Sequence, residues 1–321
     1  MTTAPIKVAV LDDFQNVVAK LADWGRLPPH VSVNIFGDHV EGDALAARLL
    51  PFHVLVLTRE RTKLPGTLVA KLPNLKLVVT AGMRNLGIDI PACAARGIPV
   101  CGTEAVSSPT AELAWGLILA ITRRIPQEDR ALREGQWQTP DVGFALQGKV
   151  LGILGLGRLG TQVAKIGQAI GMSVIAWSQN LTAERAAAEG CTRVEKADLF
   201  RLSDVLTVHV LSTERTRGLV GPAELALMKP SAILINTSRS AIVSEAALVE
   251  ALHAGRIAGA GLDVYDVEPL PKDAAILRAP NTVLTPHLGY VSQESYAIYY
   301  AQALEDIEAW LAGKPMRVIG G

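Results

Sequence analysis

The sequence contains little cysteine, no surplus of charge of either sign and no long apolar run. Its three cysteines, Cys93, Cys101 and Cys191, are too few and too scattered to predict a disulfide framework. The 31 Lys and Arg residues equal the 31 Asp and Glu residues, so bulk electrostatics do not favour binding to nucleic acid or to an anionic membrane. The longest apolar runs, such as residues 114–121, are far shorter than the roughly 18 residues that a membrane-spanning helix needs.

Targeting and metal-binding signals are also missing. No basic segment followed by an apolar one opens the chain, as a secretion signal would require, so we expect a cytoplasmic protein. The histidines show no HExxH-type spacing and the cysteines form no CxxC pair, so no metal is predicted. With 49% hydrophobic residues, the 321-residue chain can bury large cores, and its length suggests about two domains.

Short apolar segments rich in β-branched residues alternate with segments of helical spacing. In the first third, strands are predicted at residues 6–11, 31–36, 53–57, 75–80 and 98–101. A second set is predicted at residues 150–154, 173–177, 205–210, 232–235, 259–262 and 282–284. Helices are predicted at residues 158–170, 182–189, 222–228, 244–253 and 292–311. Such alternation is typical of α/β domains with a parallel sheet and helices on both faces.

The longest apolar helix is predicted between the two sets of strands. It begins at Ser108-Pro109, where serine can cap the helix and proline suits its first turn. It ends at Arg123-Arg124, before Pro126, and its body is apolar on nearly every side, which predicts burial between layers. The polar stretch that follows, with Gly135 and Gly143, is interpreted as a connector.

A glycine-rich turn follows the first strand of the second set. It reads Gly155-Leu156-Gly157-Arg158-Leu159-Gly160. In dinucleotide-binding folds, the first glycine makes a tight turn, the second lets backbone approach a pyrophosphate and the third lets the helix pack on the strand. The helix then offers free N–H groups to the phosphates. Because the motif stands between a strand and a helix, it favours a binding site for NAD or NADP rather than an ordinary turn without a ligand.

The residue that would distinguish the two cofactors is not an acid. An Asp or Glu about 20 residues beyond the motif usually accepts a hydrogen bond from the adenine ribose 2′-hydroxyl. Here Ser178 stands in that place, 18 residues after Gly160. Ser178, Gln179 and Asn180 are neutral donors that could bind a 2′-phosphate, and Arg185 could reach it. No arginine follows directly, so the NADP signal is incomplete, but the sequence favours NADP over NAD.

Polar segments that follow the last three predicted strands carry Arg239, Glu268 and His287. Ligands of open α/β sheets bind outside the carboxyl ends of the strands, so these side chains could converge there. Arginine offers a planar charged fork, histidine exchanges a proton near neutral pH, and a neighbouring carboxylate orients the imidazole. Beside a nicotinamide, this set predicts interconversion of a 2-oxo acid and a 2-hydroxy acid. Taken singly, each residue could be an ordinary ion-pair, loop or turn residue, so the prediction depends on their coincidence.

On these motifs, the sequence resembles the D-isomer-specific 2-hydroxyacid dehydrogenases. This family includes glyoxylate/hydroxypyruvate reductases and D-lactate and phosphoglycerate dehydrogenases. The resemblance extends over nearly the whole chain, and its segments are residues 80–89, 96–100, 111–113, 150–160, 236–239, 262–269 and 285–289. The last three are highly specific together, and the family's Arg, Glu and His fall on Arg239, Glu268 and His287.

The resemblance implies an α/β fold of two doubly wound parallel-sheet domains, with a Rossmann NAD(P)-binding domain inserted in a flavodoxin-like substrate domain. The substrate domain is expected at residues 1–103 and 289–321, and the dinucleotide-binding domain at residues 104–288. The family is typically homodimeric through its nucleotide domains, so a homodimer is expected. Because the sequence ends at Gly321, no regulatory extension of the long phosphoglycerate dehydrogenase type is expected.

The resemblance also implies roles for individual residues. Hydride would pass between nicotinamide C4 and substrate C2, while His287, supported by Glu268, protonates the carbonyl oxygen and Arg239 holds the carboxylate and carbonyl. Backbone N–H groups near Gly82 and Met83 would bind the other end of the carboxylate. Cofactor contacts are expected from Gly155, Gly157, Arg158, Leu159, Gly160 and Ser178, from Thr237 near the ribose and from Asp263 near the nicotinamide.

Arg84 and the identity of the substrate stay open at this point. Arg84 stands where the family often has a second glycine, and it either adds positive charge at the substrate mouth or forms a buried or interdomain salt bridge. The expected substrate is a small 2-oxo acid of the glyoxylate, hydroxypyruvate or pyruvate type. The alternatives are another oxyanion, such as phosphite, or a non-catalytic NAD(H)-sensing regulator similar to the corepressors of this fold.

Overall fold

The computed structural model describes residues 4–320. The described chain forms two compact units. The first extends up to Val106 and resumes at Ser292, and the second is Ser107–Val291. Each unit contains one sheet in which all strand pairs are parallel.

The first unit contains a five-stranded sheet. Its strands are β1 (Ile6–Val10), β2 (Val31–Ile35), β3 (Val54–Leu57), β4 (Leu77–Thr80) and β5 (Val100–Gly102). Its helices are α1 (Val18–Leu21), α2 (Gly42–Leu49), α3 (Gly66–Ala70), α4 (Ile90–Ala95) and α12 (Gln293–Leu311), with a 3-10 turn at Trp24–Arg26. Every residue of β3 and β4 is buried, which explains their continuous apolar sequences. The order β2-β1-β3-β4-β5 is that of flavodoxin-like folds.

The second unit contains a seven-stranded sheet. Its strands are β6 (Val150–Leu154), β7 (Ser173–Trp177), β8 (Thr192–Arg193), β9 (Val205–Val208), β10 (Ile233–Asn236), β11 (Gly259–Leu262) and β12 (Thr282–Leu284). Its helices are α5 (Ser108–Thr122), α6 (Ile125–Arg133), α7 (Arg158–Ile170), α8 (Ala183–Ala188), α9 (Lys196–Leu202), α10 (Pro222–Leu227) and α11 (Glu245–His253), with 3-10 turns at Ser240–Ile242 and Ala275–Arg278. The order β12-β11-β10-β9-β6-β7-β8 is the Rossmann order with one added strand. Two doubly wound sheets confirm the predicted fold class.

The second sheet is buried on both faces. Ile233 and Ile235 belong to one apolar core, which also contains Trp115, whereas Leu234 belongs to a second core with Phe200. Successive side chains of a strand point to opposite faces, so each face of the sheet has its own core. These cores fix the strands whose ends carry the candidate site.

The long helix α5 packs closely on β11, so its predicted burial is confirmed in part, whereas Leu119 of the same helix is 40% exposed. A Cβ on Gly261 would lie 3.0 Å from the Cβ of Leu117, and a Cβ on Gly259 would lie 2.8 Å from the Cδ1 of Ile121. Glycines in the strand therefore allow the helix to approach. The Nε1 of Trp115 donates a hydrogen bond to a backbone carbonyl of α7 at 3.1 Å.

The segment after α5 contains a helix, so its interpretation as a connector was wrong in part. Arg124 has a φ of +56°, which ends α5, and Pro126 lies in the first turn of α6. Proline has no N–H, and the first turn of a helix leaves that group unpaired in any case. Pro126 therefore begins a helix rather than terminating one. β8 and α9 were also not predicted.

Candidate active site

The glycine motif forms the turn between β6 and α7. Gly155 has a φ of +107°, and a Cβ there would lie 2.6 Å from the backbone nitrogen of Val210, so only glycine fits. A Cβ on Gly160 would collide with the carbonyl oxygen of Gly155, so glycine lets α7 begin directly against the strand. At Gly157, no heavy atom of the described chain lies within 4 Å of a Cβ position, which leaves open space at the start of the helix.

The residues at this turn fit a dinucleotide. The first turn of α7 contains Arg158, Leu159 and Gly160 and has no side-chain cap, and N–H groups in such turns bind phosphates. Thr237 is buried, and its Oγ1 has no hydrogen-bond partner among residues 4–320. A buried hydroxyl without a partner is unfavourable unless a ligand completes it. The turn would hold the pyrophosphate of a nicotinamide dinucleotide, and Thr237 offers a hydroxyl for its ribose.

Ser178 is connected to the glycine turn. Its Oγ accepts a hydrogen bond from the N–H of Leu156 at 3.0 Å, and the hydroxyl keeps its own proton for donation. Gln179 and Asn180 are exposed beside it, and Arg185 is exposed on α8. The end of β7 therefore presents neutral donors, with no carboxylate at Ser178 to repel a 2′-phosphate.

The three predicted catalytic residues follow three neighbouring strands. β10, β11 and β12 are parallel, and their last residues pair in register across the sheet. The chain therefore leaves all three strands at the same edge. This edge carries Arg239, Glu268 and His287, so the sheet brings their loops to one side of the second unit.

Glu268 and His287 form a short hydrogen bond. The Oε2 of Glu268 lies 2.6 Å from the Nδ1 of His287, and its Oε1 accepts the N–H of Tyr265 at 2.8 Å. Both carboxylate oxygens are therefore engaged, which fixes the carboxylate. His287 has a φ of +53°, uncommon for a non-glycine residue, and its ring packs edge-on against Tyr290 with centroids 5.4 Å apart. Because Nδ1 is held by Glu268, Nε2 is the ring nitrogen that can exchange a proton with a ligand.

Asp263 anchors the loop that carries His287. It is fully buried, and its carboxylate accepts hydrogen bonds from the Oγ1 of Thr285 (2.6 Å) and from the N–H groups of Leu288 (2.7 Å) and Gly289 (2.8 Å). Burial raises the pKa of Asp263, although these donors and the nearby His287 act in the opposite direction. The structure gives Asp263 a positioning function, and its contact with the nicotinamide stays a prediction.

Tyr265, which the sequence did not identify, connects the loops of Glu268 and His287. Its hydroxyl donates towards the carbonyl oxygens of Thr285, at 3.0 Å, and Leu262, at 3.2 Å, and its N–H donates to Glu268. The side chain is buried. An aromatic residue at this place gave no signal, because the two carbonyl groups come together only through the pairing of β11 with β12.

The Arg239 loop is held by hydrogen bonds at the end of β10. The Oδ1 of Asn236 accepts the N–H of Ser238 at 3.0 Å, and its Nδ2 donates to the carbonyl of Arg239 at 3.1 Å. The Oγ of Ser238 donates to the carbonyl of Val210 at 2.7 Å, which connects this loop to the chain beside the glycine turn. The half-buried guanidinium of Arg239 donates to the carbonyl of Ser238 at 2.7 Å, so the cation is held at the strand end.

The backbone expected to bind a carboxylate lies in the first unit, after β4. Gly82 has a φ of +85°, and its N–H donates to the Oγ1 of Thr103 at 2.9 Å. Within the described chain, no hydrogen bond uses the N–H of Met83, whose side chain is 49% exposed. The Nδ2 of Asn85 donates to the carbonyl of Arg59 at 2.7 Å and to Thr80 at 2.8 Å, which fixes the loop. Met83 is therefore the better placed donor of the predicted pair.

Two arginines lie at or beside this loop. Arg59 is the second residue after β3 and has a φ of +56°, and its guanidinium occupies the space that a Cβ on Gly82 would fill. Arg59 was not predicted as a site residue, although a cation two residues after a buried strand was a usable signal. Arg84 is exposed and forms no ion pair with the described residues of its own unit, so the buried ion pair considered for it is not formed there.

The described residues give no indication of a metal or membrane site. No group of three or more His, Cys, Asp or Glu side chains within residues 4–320 could hold a metal ion. No helix in the described part of the chain combines the length and the apolar character needed to cross a membrane. Cys93, Cys101 and Cys191 are buried free thiols.

Residues 115–289 match the family model described as "D-isomer specific 2-hydroxyacid dehydrogenase, NAD binding domain", and the chain belongs to this family. It is 39% identical over 272 residues to a D-3-phosphoglycerate dehydrogenase of Archaeoglobus fulgidus, a match that covers 84% of this chain and 52% of that protein. It is 39% identical over 300 residues to a glyoxylate reductase of Aeropyrum pernix, covering 91% of this chain and 86% of that protein. The crystal structure of a phosphoglycerate oxidoreductase from Vibrio cholerae is similar, with a TM-score of 0.91 and 37% identity over 96% of this chain and 99% of that one. The chain thus spans about half the length of the phosphoglycerate dehydrogenase relatives.

Proposed function

We propose that this chain is an NAD(P)-dependent D-2-hydroxyacid dehydrogenase that reduces a small 2-oxo acid to its D-2-hydroxy acid. The observation that carries the proposal is the 2.6 Å hydrogen bond between Glu268 Oε2 and His287 Nδ1, at the sheet edge that also carries Arg239. A bound reduced nicotinamide supplies the hydride. The family and the reductase and dehydrogenase names of its relatives support this reaction class.

His287 is the general acid for reduction in this proposal. Its Nδ1–H donates to the Glu268 carboxylate, and its Nε2–H donates to the carbonyl oxygen of the substrate. As C2 receives the hydride, the carbonyl oxygen takes the Nε2 proton and becomes a hydroxyl group. In the reverse direction, the neutral Nε2 accepts the hydroxyl proton. Glu268 stabilises the imidazolium form and keeps the ring oriented, and catalysis of this type contributes about 10²–10⁴-fold in rate.

Substrate recognition is assigned to a permanent cation and to backbone donors. Arg239 would bind the carboxylate and polarise the carbonyl through its planar fork. The N–H of Met83, next to Gly82, would donate to the other carboxylate oxygen. We accordingly propose that residues 104–288 bind the dinucleotide and that residues 1–103 and 289–321 form the substrate domain.

The proposed substrates are glyoxylate, hydroxypyruvate or pyruvate. The match with the glyoxylate reductase extends over 86% of that protein, whereas the match with the first phosphoglycerate dehydrogenase covers 52% of it. The name of the glyoxylate reductase relative supports a small 2-oxo acid. The exposed Arg84 adds a positive charge on the Met83 loop, which suits an anionic substrate.

NADP(H) is proposed as the preferred cofactor. The neutral Ser178, the exposed Gln179 and Asn180 and the exposed Arg185 support this choice, because no carboxylate at Ser178 repels a 2′-phosphate. Ser178→Asp should reverse the preference, since the new carboxylate would accept the ribose 2′-hydroxyl of NADH and repel the phosphate of NADPH. The ratio of kcat/KM for the two cofactors, measured with one oxo acid, gives the test. An unchanged ratio would show that this position does not select the cofactor.

The decisive test is oxidation of NADPH or NADH by the purified protein with each small 2-oxo acid. His287→Gln is expected to lower kcat by about 10²–10⁴-fold and to leave the dissociation constant of the cofactor, followed by its fluorescence, nearly unchanged. His253→Gln is the matched control, because His253 is exposed at the end of α11. Equal activity of His287→Gln and the wild type would refute the proposed general acid. Cofactor binding without turnover of any 2-oxo acid would favour an NAD(H)-sensing protein, and turnover of phosphite alone would favour another oxyanion as the substrate.

A further inference from the structure

Residues 317–320 run along the edge of the first sheet. Val318 forms an antiparallel bridge with Cys101 of β5. The N–H of Gly102 donates to the carbonyl of Arg317 at 2.9 Å, and the N–H of Ile319 donates to the carbonyl of Val100 at 2.7 Å. The segment 317–320 therefore adds an isolated antiparallel bridge beside β5 and satisfies backbone groups that an edge strand would otherwise expose.

Arg317 fixes this segment to α12. Its Nε donates to the Oδ1 of Asp306 at 3.0 Å, and its Nη2 donates to the carbonyl of Gln302 at 2.8 Å and lies 2.9 Å from a carboxylate oxygen of Glu305. Asp306 is fully buried. An arginine that contacts three groups on one helix is held in a single orientation, so the backbone that follows it is also held.

Ile319 and the Met83 loop meet at the same backbone position of β5. A Cβ on Gly102 would lie 2.8 Å from the Cδ1 of Ile319, 2.7 Å from the carbonyl oxygen of Gly82 and 3.1 Å from the Cα of Met83. The absence of a side chain at Gly102 thus lets the loop and Ile319 pack at one place. Ile319 also packs against the apolar core of this unit.

We propose that Ile319, held in place by Arg317, is a positioning residue for substrate binding by the N–H of Met83. The inference rests on the proposed function, in which this N–H binds the substrate carboxylate. A backbone donor must lie within about 0.5 Å of its productive position to be effective. If the side chain of Ile319 is shortened, the packing beside Gly102 is lost on one side, and the loop gains freedom to move. Ile319 itself need not contact the substrate.

The chain offers a matched pair of variants. Val318 is 43% exposed and directly precedes Ile319, so Val318→Ala removes apolar atoms without removing the packing at Gly102. Ile319→Ala is expected to raise the KM for glyoxylate about tenfold, which corresponds to 1.4 kcal/mol. Its kcat and its dissociation constant for NADPH should stay close to wild type. Ile319→Val keeps most of the side chain, so its KM for glyoxylate should stay near the wild-type value. Val318→Ala should leave every parameter unchanged.

Amide hydrogen exchange of Met83, measured by NMR without substrate, separates this inference from the proposed function. Faster exchange of the Met83 amide in Ile319→Ala, but not in Val318→Ala, supports the positioning role of Ile319. This holds even if the wild type reduces no 2-oxo acid, and that absence of turnover would reject the proposed function alone. Wild-type turnover together with an unchanged KM and unchanged Met83 exchange in Ile319→Ala would overturn the inference alone. Equal changes in both variants would also overturn it, because they would indicate general loosening of the segment.

Discussion

At the scale of single residues, two carboxylates beside one histidine have different environments. Glu268 is partly exposed and bonds directly to the Nδ1 of His287. Asp263 is fully buried and bonds to the backbone that follows the histidine. The two carboxylates therefore differ in what they hold. The partly exposed Glu268 orients the imidazole ring itself, whereas the buried Asp263, with its hydrogen bonds to the backbone, fixes the loop that carries the ring.

The hydroxyl of Tyr265 provides a test of this positioning. Tyr265→Phe removes the hydrogen bonds to the carbonyls of Thr285 and Leu262 but keeps the ring and the N–H bond to Glu268. We expect about 1 kcal/mol lower unfolding free energy, a several-fold lower kcat and a displaced pH profile of kcat, because the loops of Glu268 and His287 lose one of the contacts that connect them. Urea denaturation and steady-state kinetics across pH measure these effects.

Tyr300→Phe is the control for Tyr265→Phe. The hydroxyl of Tyr300 is also buried and lies 3.0 Å from the Oγ1 of Thr58, but it belongs to the first unit. Its loss should lower the unfolding free energy by a similar amount and leave the pH profile of kcat in place. If both variants change the profile equally, or neither does, Tyr265 has no positioning function.

The buried Asp306 predicts a pH-dependent stability. Burial raises its pKa from an ordinary 3.8 to about 7, although Arg317 acts in the opposite direction, and Glu305 adds to the increase. Between these pH values the folded protein binds a proton that the unfolded chain has released, so the unfolding free energy should fall as pH rises from about 4 to about 7. In Asp306→Asn this pH-dependent contribution should vanish. The difference in unfolding free energy between wild type and variant should therefore change by up to about 4 kcal/mol between pH 4 and pH 7. Urea denaturation at several pH values tests this, and parallel curves for the two proteins would contradict it.

At the scale of the elements, the contact between α5 and β11 depends on the missing side chain at Gly261. A Cβ there would lie 2.8 Å from the Cδ1 of Ile235 and 3.0 Å from the Cβ of Leu117. Gly261→Ala should therefore lower the unfolding free energy by about 1–3 kcal/mol through overpacking. Gly116→Ala, on α5 itself, should raise the unfolding free energy by about 0.5–1 kcal/mol, because alanine favours a helix and, apart from the adjoining residues and backbone of α5, no described atom lies within 4 Å of that Cβ position. Urea denaturation of the two variants measures these changes. If both variants shift the unfolding free energy in the same direction from wild type, this explanation of the packing is wrong.

Most strands could be predicted, and the candidate residues Arg239, Glu268 and His287 could be assigned to segments that follow strands, because both follow local rules. Strands buried on both faces have continuous apolar sequences, and Arg239, Glu268 and His287 lie in the segments that follow β10, β11 and the edge strand β12. Helix α6 could not be predicted, because Pro126 suits both the residue after a helix and the first turn of one. The hydrogen bond from Gly82 to Thr103 could not be predicted either, because only the pairing of β4 with β5 brings residues 21 positions apart together.

At the scale of the whole molecule, the order of each sheet determines which loops carry the chemistry. In the second sheet, β6 lies beside both β7 and β9, which is where the strand order reverses. Ligands of doubly wound sheets bind at such a reversal, at the carboxyl ends of the strands. The glycine turn after β6 and the loop after β10 both lie at this edge, which is consistent with one dinucleotide that contacts both.

The surface around α6 leads to the last prediction, which concerns assembly. Large apolar side chains on the segment 119–142 are exposed, namely Leu119 (40%), Ile125 (53%), Leu132 (56%), Trp137 (81%) and Val142 (94%). The segment is held by an ion pair between Arg124 and Asp141 at 2.6 Å and by hydrogen bonds between Glu128 and Thr139. Concentrated apolar exposure on an ordered surface is typical of a protein interface.

We propose that a second copy of the chain covers this surface and forms a homodimer. Sedimentation velocity at micromolar concentration should give the mass of a dimer for the wild type. The double variant Leu132→Asp/Trp137→Ser should sediment as a monomer, because charge and lost aromatic area disfavour burial of the surface. Leu211→Asp is the control, since Leu211 is 67% exposed but lies outside the segment, and it should stay dimeric. A monomeric wild type, or a dimer that persists in the double variant, would show that this surface does not join two copies.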